Sequence, residues 1–182
     1  MISRRSLIAS VAASLALPAR TFALEAKFTP QRVGIKPDLE PGQILILPRA
    51  HFLYFIVAQG EAMRYGVGVG KAGLAFTGTA TIDVKKKWPT WRPTNEMIAR
   101  EPQTYEKFVD NDYVQPGGRG NPLGARALYL FENGRDTYFR IHGTTAPRSI
   151  GRSVSNGCIR MINDHVIDLY DRVPLGTKVT VL

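Results

Sequence analysis

From residue 43 onward the chain is built of short apolar runs separated by turn residues. Residues 43–47 (QILIL) and 52–58 (FLYFIVA) are β-branched and aromatic runs that predict strands. Residues 62–69 continue the pattern, but Gly66, Gly68 and Gly70 alternate through and past them, which predicts close backbone packing or a bulge. Thr-rich alternation predicts a strand over 76–84, and residues 126–131 (RALYLF) and 137–141 (TYFRI) flank Asn133-Gly134, a hairpin signal. One segment has helical spacing, with apolar residues at 162, 166, 167, 169, 170 and 173. Asn163 is its expected N-cap and Asp164 suits the first turn. Pro174-Leu175-Gly176 stops it, and residues 178–182 (KVTVL) close as a strand. The fold class expected is mostly β: a sandwich or barrel-like mixed sheet with one capping helix.

Two stretches break the pattern. Residues 24–41 carry Pro30, Pro37 and Pro41 and are expected to be extended. Residues 85–124 hold Trp88-Pro89, Trp91-Arg92-Pro93 and a Pro116–Pro122 loop. Only a short helix over 96–100, capped by Asn95, and a helical turn over 105–109 are expected there. Long irregular insertions in compact domains tend to be functional, so this one is read as a wall over a site.

Residues 1–23 read as an export signal. Arg4-Arg5 precede a mostly apolar run over 6–17, and Thr21-Phe22-Ala23 offers a small-x-small cleavage site. Ser3-Arg4-Arg5-Ser6-Leu7-Ile8 is similar to a twin-arginine signal, so contact with the membrane is expected only during export. Of the 24 basic residues, three lie in this leader; against 15 acidic residues the remainder carries +6. A basic surface outside the cytoplasm suits an anionic wall polymer better than nucleic acid, and no run of five Lys/Arg is present. One cysteine excludes an intrachain disulfide and any Cys-pair zinc site. Three histidines far apart at 51, 142 and 165 give no metal-ligand spacing, and no metal or organic cofactor is expected.

The densest chemical signal is Ile141-His142-Gly143-Thr144, followed sixteen residues after His142 by Cys158 in Ser155-Asn156-Gly157-Cys158-Ile159-Arg160-Met161. A thiol becomes a strong nucleophile when a histidine takes its proton and nearby donors stabilise the developing charge. His142 is expected at a strand end, and the Gly/Ser/Thr-rich loop after it can return Cys158 to it. The N–H groups of Gly157 and Cys158 are candidate oxyanion donors. Arg160 lies on the same side of an extended chain as Cys158, where it can orient a substrate carboxylate or brace the loop. His51 and His165 are read as structural.

The run HGT…SNGCIRM, with the helix and Gly176-Thr177-Lys178-Val179 after it, closely resembles the L,D-transpeptidase (YkuD-type) catalytic domain. Gly70-Lys71-Ala72-Gly73…Thr77-Gly78-Thr79 and Asn121-Pro122-Leu123-Gly124 are similar to that family's upstream segments, so the likeness covers residues 42–182. The resemblance implies a mostly β fold acting on peptidoglycan stem peptides in the periplasm or cell envelope. It implies Cys158 as the nucleophile that attacks the third stem residue, expelling terminal D-Ala, and His142 as proton acceptor and donor. It places Ser155, Gly157 and Arg160 around the nucleophile as substrate and oxyanion residues, and Asn156 and Gly143, beside Cys158 and His142 in the chain, are candidates with them. It also implies a carbapenem target and no cofactor. An acceptor amine gives a 3→3 cross-link; water gives an L,D-carboxypeptidase. A non-catalytic wall-binding module is the third class. Many members carry His before Gly-Cys; here Asn156 stands there, so a second imidazole is lacking.

Overall fold

The computed structural model describes residues 23–182, and the expected leader lies outside the described residues but for Ala23. Among the described residues, eleven strands and two α-helices follow one another. They are β1 (Gln31–Gly34), β2 (Ile44–Leu47), β3 (Phe52–Ala58), β4 (Glu61–Gly66), β5 (Val69–Gly70), β6 (Gly78–Lys87), α1 (Asn95–Arg100), β7 (Arg126–Glu132), β8 (Arg135–His142), β9 (Ser153–Ser155), β10 (Ile159–Arg160), α2 (Asn163–Arg172) and β11 (Lys178–Val181). Nine strands form one mixed sheet in the order β1-β4-β3-β2-β11-β6-β7-β8-β10, and β5 pairs with β9 in a small parallel ribbon. Gly68, just beyond β4, exchanges backbone hydrogen bonds with Arg160 of β10 at 2.8 and 2.9 Å. That bridge ties the chain just past β4, second in the strand order, to β10 at its far end.

Period-two burial explains the strands. In β2, Ile44 and Ile46 are fully buried while Leu45 and Leu47 are only partly so. These two pack with Leu53, Tyr65, Ile82, Leu128, Leu130, Ile141 and Val179 from neighbouring strands, and Val166 and Leu169 of α2 complete the core. Burying each such side chain contributes about 1.5–3 kcal/mol. Asn133 and Gly134 both take positive φ (51° and 74°), the tight turn that their sequence demands between β7 and β8.

Several elements differ from expectation. Strand β6 runs on through Lys85-Lys86-Lys87, which the sequence placed in the irregular stretch, because these residues pair with Leu128, Ala127 and Arg126 of β7. Lys85 has a further part: its Nζ donates to the carbonyls of Tyr170 (2.6 Å) and Val173 (2.5 Å), closing the C-terminal end of α2. Thr94, not Asn95, caps α1, its Oγ1 accepting from the Met97 N–H at 3.2 Å. The cap position of α2 falls on Ile162; Asn163 instead accepts from the Ala125 N–H (3.0 Å) and donates to Thr144 O (3.2 Å). The extended N-terminal stretch contributes β1, paired antiparallel with β4.

The alternating glycines are contact points. A Cβ at Gly68 would stand 2.5 Å from the Ser149 carbonyl oxygen, and one at Gly70 would stand 3.0 Å from Gly157 Cα. The strip therefore lets the backbone of residues 149–157 lie directly against it. Gly68→Ala is expected to lose about 2 kcal/mol or more of stability, because backbone must move to admit one methyl group. Urea unfolding of the described domain measures it, with Gly73→Ala, in open space but at positive φ, as the comparison for backbone strain alone.

Candidate active site

The end of β8 and the start of β10 build the site. Strand β10 pairs parallel to β8 with Ile159 opposite Ile141 and Arg160 opposite His142. The same register sets Cys158 beside Arg140. Because side chains alternate, Ile141 and Ile159 turn into the core while Arg140, His142, Cys158 and Arg160 share the other face. All four line one cavity of about 470 Å³. Cys158 and His142 are thus diagonal neighbours on adjacent strands, with Cα atoms about 7–8 Å apart on general sheet geometry and side chains directed into one space.

His142 is buried, and its Nδ1–H donates to the Gly143 carbonyl at 2.5 Å. A carbonyl can only accept, so the proton sits on Nδ1 and the Nε2 lone pair is left as the base. Burial pulls the imidazole down to about 4, with the Gly143 hydrogen bond opposing and the Arg160 and Arg140 charges adding to the lowering. Burial raises the Cys158 thiol, opposed by the Arg140 main chain and by the charges of Arg140 and Arg160. These shifts favour a thiol and a neutral imidazole at neutral pH. The thiol lies partly open at the cavity and donates to Tyr138 O at 3.8 Å.

The loop before the cysteine is held from within. Ser155 is buried; its Oγ donates to Cys158 O at 2.6 Å and accepts from the Gly157 N–H at 3.2 Å. Gly157 takes φ +124°, and a Cβ there would meet the Phe139 ring at 2.5 Å. The expectation that both the Gly157 and Cys158 N–H groups face an oxyanion is thereby corrected. Gly157 donates inside the loop, whereas the Cys158 N–H has no acceptor among the described residues. Gly143 sits where a Cβ would stand 3.0 Å from Ala125 N, and its carbonyl orients His142. Arg160 also lines the cavity. His51 is bonded to Ser153 Oγ at 3.0 Å and, like His165 on α2, is not among the cavity residues.

A family model, the L,D-transpeptidase catalytic domain (YkuD), matches residues 41–181. The chain belongs to the YkuD-type L,D-transpeptidase family. It is 31% identical over 158 residues to the "Probable L,D-transpeptidase ErfK/SrfK" of Escherichia coli (strain K12), covering 84% of this chain and 47% of that one. It is 33% identical over 148 residues to YkuD of Bacillus subtilis (strain 168), covering 81% and 80% respectively. A crystal structure from Brucella melitensis, of a "Probable carnitine operon oxidoreductase caia", is 53% identical with a TM-score of 0.58, covering 87% of this chain and 96% of that one. The chain spans about half the length of the first curated relatives it matches. The oxidoreductase name belongs to the Brucella protein; membership here rests on the family match and the curated relatives.

Two parts of this YkuD-type site escaped the sequence reading. The first is a bulge in β8: Tyr129 faces Arg140 and Phe131 faces Asp136, which leaves two extra residues on β8. Within it Tyr138 takes φ +62°, rare for a bulky residue, and its carbonyl meets the thiol. The second is the bidentate Arg140–Asp136 pair at 2.6 and 2.7 Å, with the guanidinium 3.9 Å from the Tyr129 ring centre. The irregular stretch read in the sequence as a wall does line the cavity. Trp91, Met97, Arg100, Tyr105, Pro122 and Leu123 line the cavity from residues 88–124. Trp91 packs edge-on against Phe108 at 5.2 Å, and Arg92 donates to the carbonyls of Phe108, Asn111 and Tyr113. Asn156 ties this wall to the nucleophile loop, donating to Tyr105 Oη and accepting from Arg100 Nη2, both at 3.0 Å.

Two outcomes follow from this geometry. Ser155→Ala leaves the buried Gly157 N–H without an acceptor and is expected to cost about 1–3 kcal/mol in thermal unfolding. With the thiol pKa raised by burial, iodoacetamide alkylation of Cys158 is expected to be slow at pH 7. Its rate should climb with a midpoint above that of the unfolded chain; intact-mass kinetics across pH gives the comparison.

Proposed function

We propose that this domain is an L,D-transpeptidase acting on peptidoglycan stem peptides through a Cys158 acyl-enzyme, in the cell envelope to which the N-terminal segment directs it. The observation that carries the reading is the parallel register that sets Cys158 and His142 on one face of one cavity, with Gly143 leaving Nε2 as the base. Cys158 Sγ attacks the carbonyl carbon of the third stem residue while His142 Nε2 takes the thiol proton. The oxyanion forms against the Cys158 N–H. As the C–N bond to terminal D-Ala breaks, the imidazolium returns the proton to the leaving amine. An acceptor amine then attacks the thioester, gives its proton to His142 and releases the sulfur, which recovers it as thiol. Arg160, unpaired in the cavity, faces the carboxylate of the departing D-residue.

The low imidazole pKa gives this mechanism a pH signature. His142 is a base only when neutral, and its folded pKa of about 4 keeps it so well below the usual histidine midpoint. The acylation rate is therefore expected to hold between pH 7 and 6 and to fall only as pH approaches 4, read by stopped-time mass analysis of the acyl-enzyme. Incubation with a tetrapeptide stem is expected to add the tripeptide acyl mass to the wild type, and imipenem to add its own mass. Neither adduct should form on Cys158→Ala that keeps the wild-type circular dichroism. Adding an acceptor amine separates cross-linked dimer from tripeptide, and so acyl transfer from carboxypeptidase action. Absence of any adduct on the wild type would leave the wall-binding module as the better account.

A further inference from the structure

The cavity carries an imbalance of charge that the acyl-transfer chemistry does not use. Its lining includes Arg92, Arg100, Arg140 and Arg160, and no carboxylate. Two of these are satisfied within the fold: Arg92 by three backbone carbonyls and Arg140 by Asp136. Arg160 has no ion-pair partner among the described residues. Arg100, at the end of α1, touches Glu101 only through Nε at 3.8 Å, an exposed contact worth little. One Nη2 hydrogen goes to Asn156 Oδ1, which holds the guanidinium beside the nucleophile loop and leaves its remaining Nη donors free. Burial and Glu101 raise the Tyr105 hydroxyl while Arg100 and Arg160 oppose them, so both cations bear on one corner of the cavity. Of the two, only Arg160 bears on the sulfur and the imidazole. The site thus presents two available guanidiniums, one near the reacting atoms and one farther out.

We propose that Arg100 is a specificity residue that recognises a second carboxylate on the donor stem, borne by the side chain of its third residue. The proposal rests on the transpeptidase reading above. The carboxylate of the departing D-residue lies next to the broken bond and belongs to Arg160. The third residue is the one whose carbonyl is attacked, so its side chain starts at the reacting centre. A diamino-diacid side chain extends roughly 6 Å from there. Asn156, two residues before Cys158, lies within about 7 Å of it along even a fully extended chain. Arg100 is anchored on Asn156 and so meets the end of that side chain. A lysine at the third position would bring an ammonium to the same guanidinium, and a carboxamide would lose the charge-assisted, two-pronged hydrogen bond.

The test uses the folded domain and four tetrapeptide stems. The third residue is diaminopimelate as free acid, diaminopimelate as side-chain carboxamide, or lysine; the fourth stem is the free acid with its second residue amidated. Wild type is expected to form the Cys158 thioester on the free acid with kcat/KM about tenfold or more above the carboxamide and lysine stems. Amidation of the second residue should change it little. Arg100→Gln should narrow the free-acid to carboxamide ratio to within about twofold, and Arg100→Lys should restore part of it. Imipenem acylation of both variants reports that the dyad is intact. A wild type indifferent to the third-residue carboxylate, selectivity that follows the second residue, or equal losses on all stems in Arg100→Gln would overturn the proposal. Imipenem acylation with no thioester on any stem would instead overturn the transpeptidase reading on which it stands.

Discussion

A two-residue parallel pairing holds the site together. Ile159 and Arg160 sit against Ile141 and His142 at the edge of a nine-stranded sheet, and Met161 N donates to His142 O at 2.8 Å to extend the contact. So short a strand cannot hold itself. It is fixed from the other side by Gly68, from below by the buried Ile159 and Met161, and from within by Ser155. The fold constrains the sulfur through backbone that has nowhere else to go. This is the reason for the glycines at 68, 70, 143 and 157, where a methyl group would collide with another strand or loop.

The electrostatics follow from the same arrangement. Desolvation by the surrounding protein lowers the His142 pKa and raises that of Cys158, so a standing ion pair is disfavoured. The arginines in the cavity favour the thiolate but disfavour the imidazolium. Their joint effect is to favour negative charge on sulfur and substrate oxygen without charging the histidine in the resting state. A protonated thiol beside a neutral, acceptor-ready imidazole is less open to oxidation than a free thiolate.

The wall over the cavity shows that irregular chain need not be loose. Residues 88–124 have little regular structure, yet Asn121 is buried and bonded to Gln115 O and Pro116 O, and Trp91 and Gln115 exchange backbone hydrogen bonds at 2.8 and 2.9 Å. Asn156 joins this wall to the nucleophile loop. The Asn156 amide donates and accepts at once, which suits a link between Tyr105 and Arg100.

The sequence by itself determined the strand content, the hairpin at Asn133-Gly134 and the helix α2, and it marked His142 and Cys158 with their neighbours as the candidate site. Each is written locally: period-two burial, a dipeptide that tolerates positive φ, apolar spacing of 3.6, and a dense motif. It also announced that the glycines of 66–70 pack closely, though not against what. Tertiary structure alone decided the rest. Arg100, Arg140 and Asp136 look like ordinary surface charges in the sequence, because what gives them a part is their facing partners, 56 residues away for Asn156 and across a bulge for Arg140. Asn163 and Lys85 were misread for the same reason: each satisfies backbone groups of a distant segment, and long-range hydrogen bonds leave no periodic trace in a chain. That the Gly157 N–H is taken by Ser155 was likewise decided by the loop's folded path.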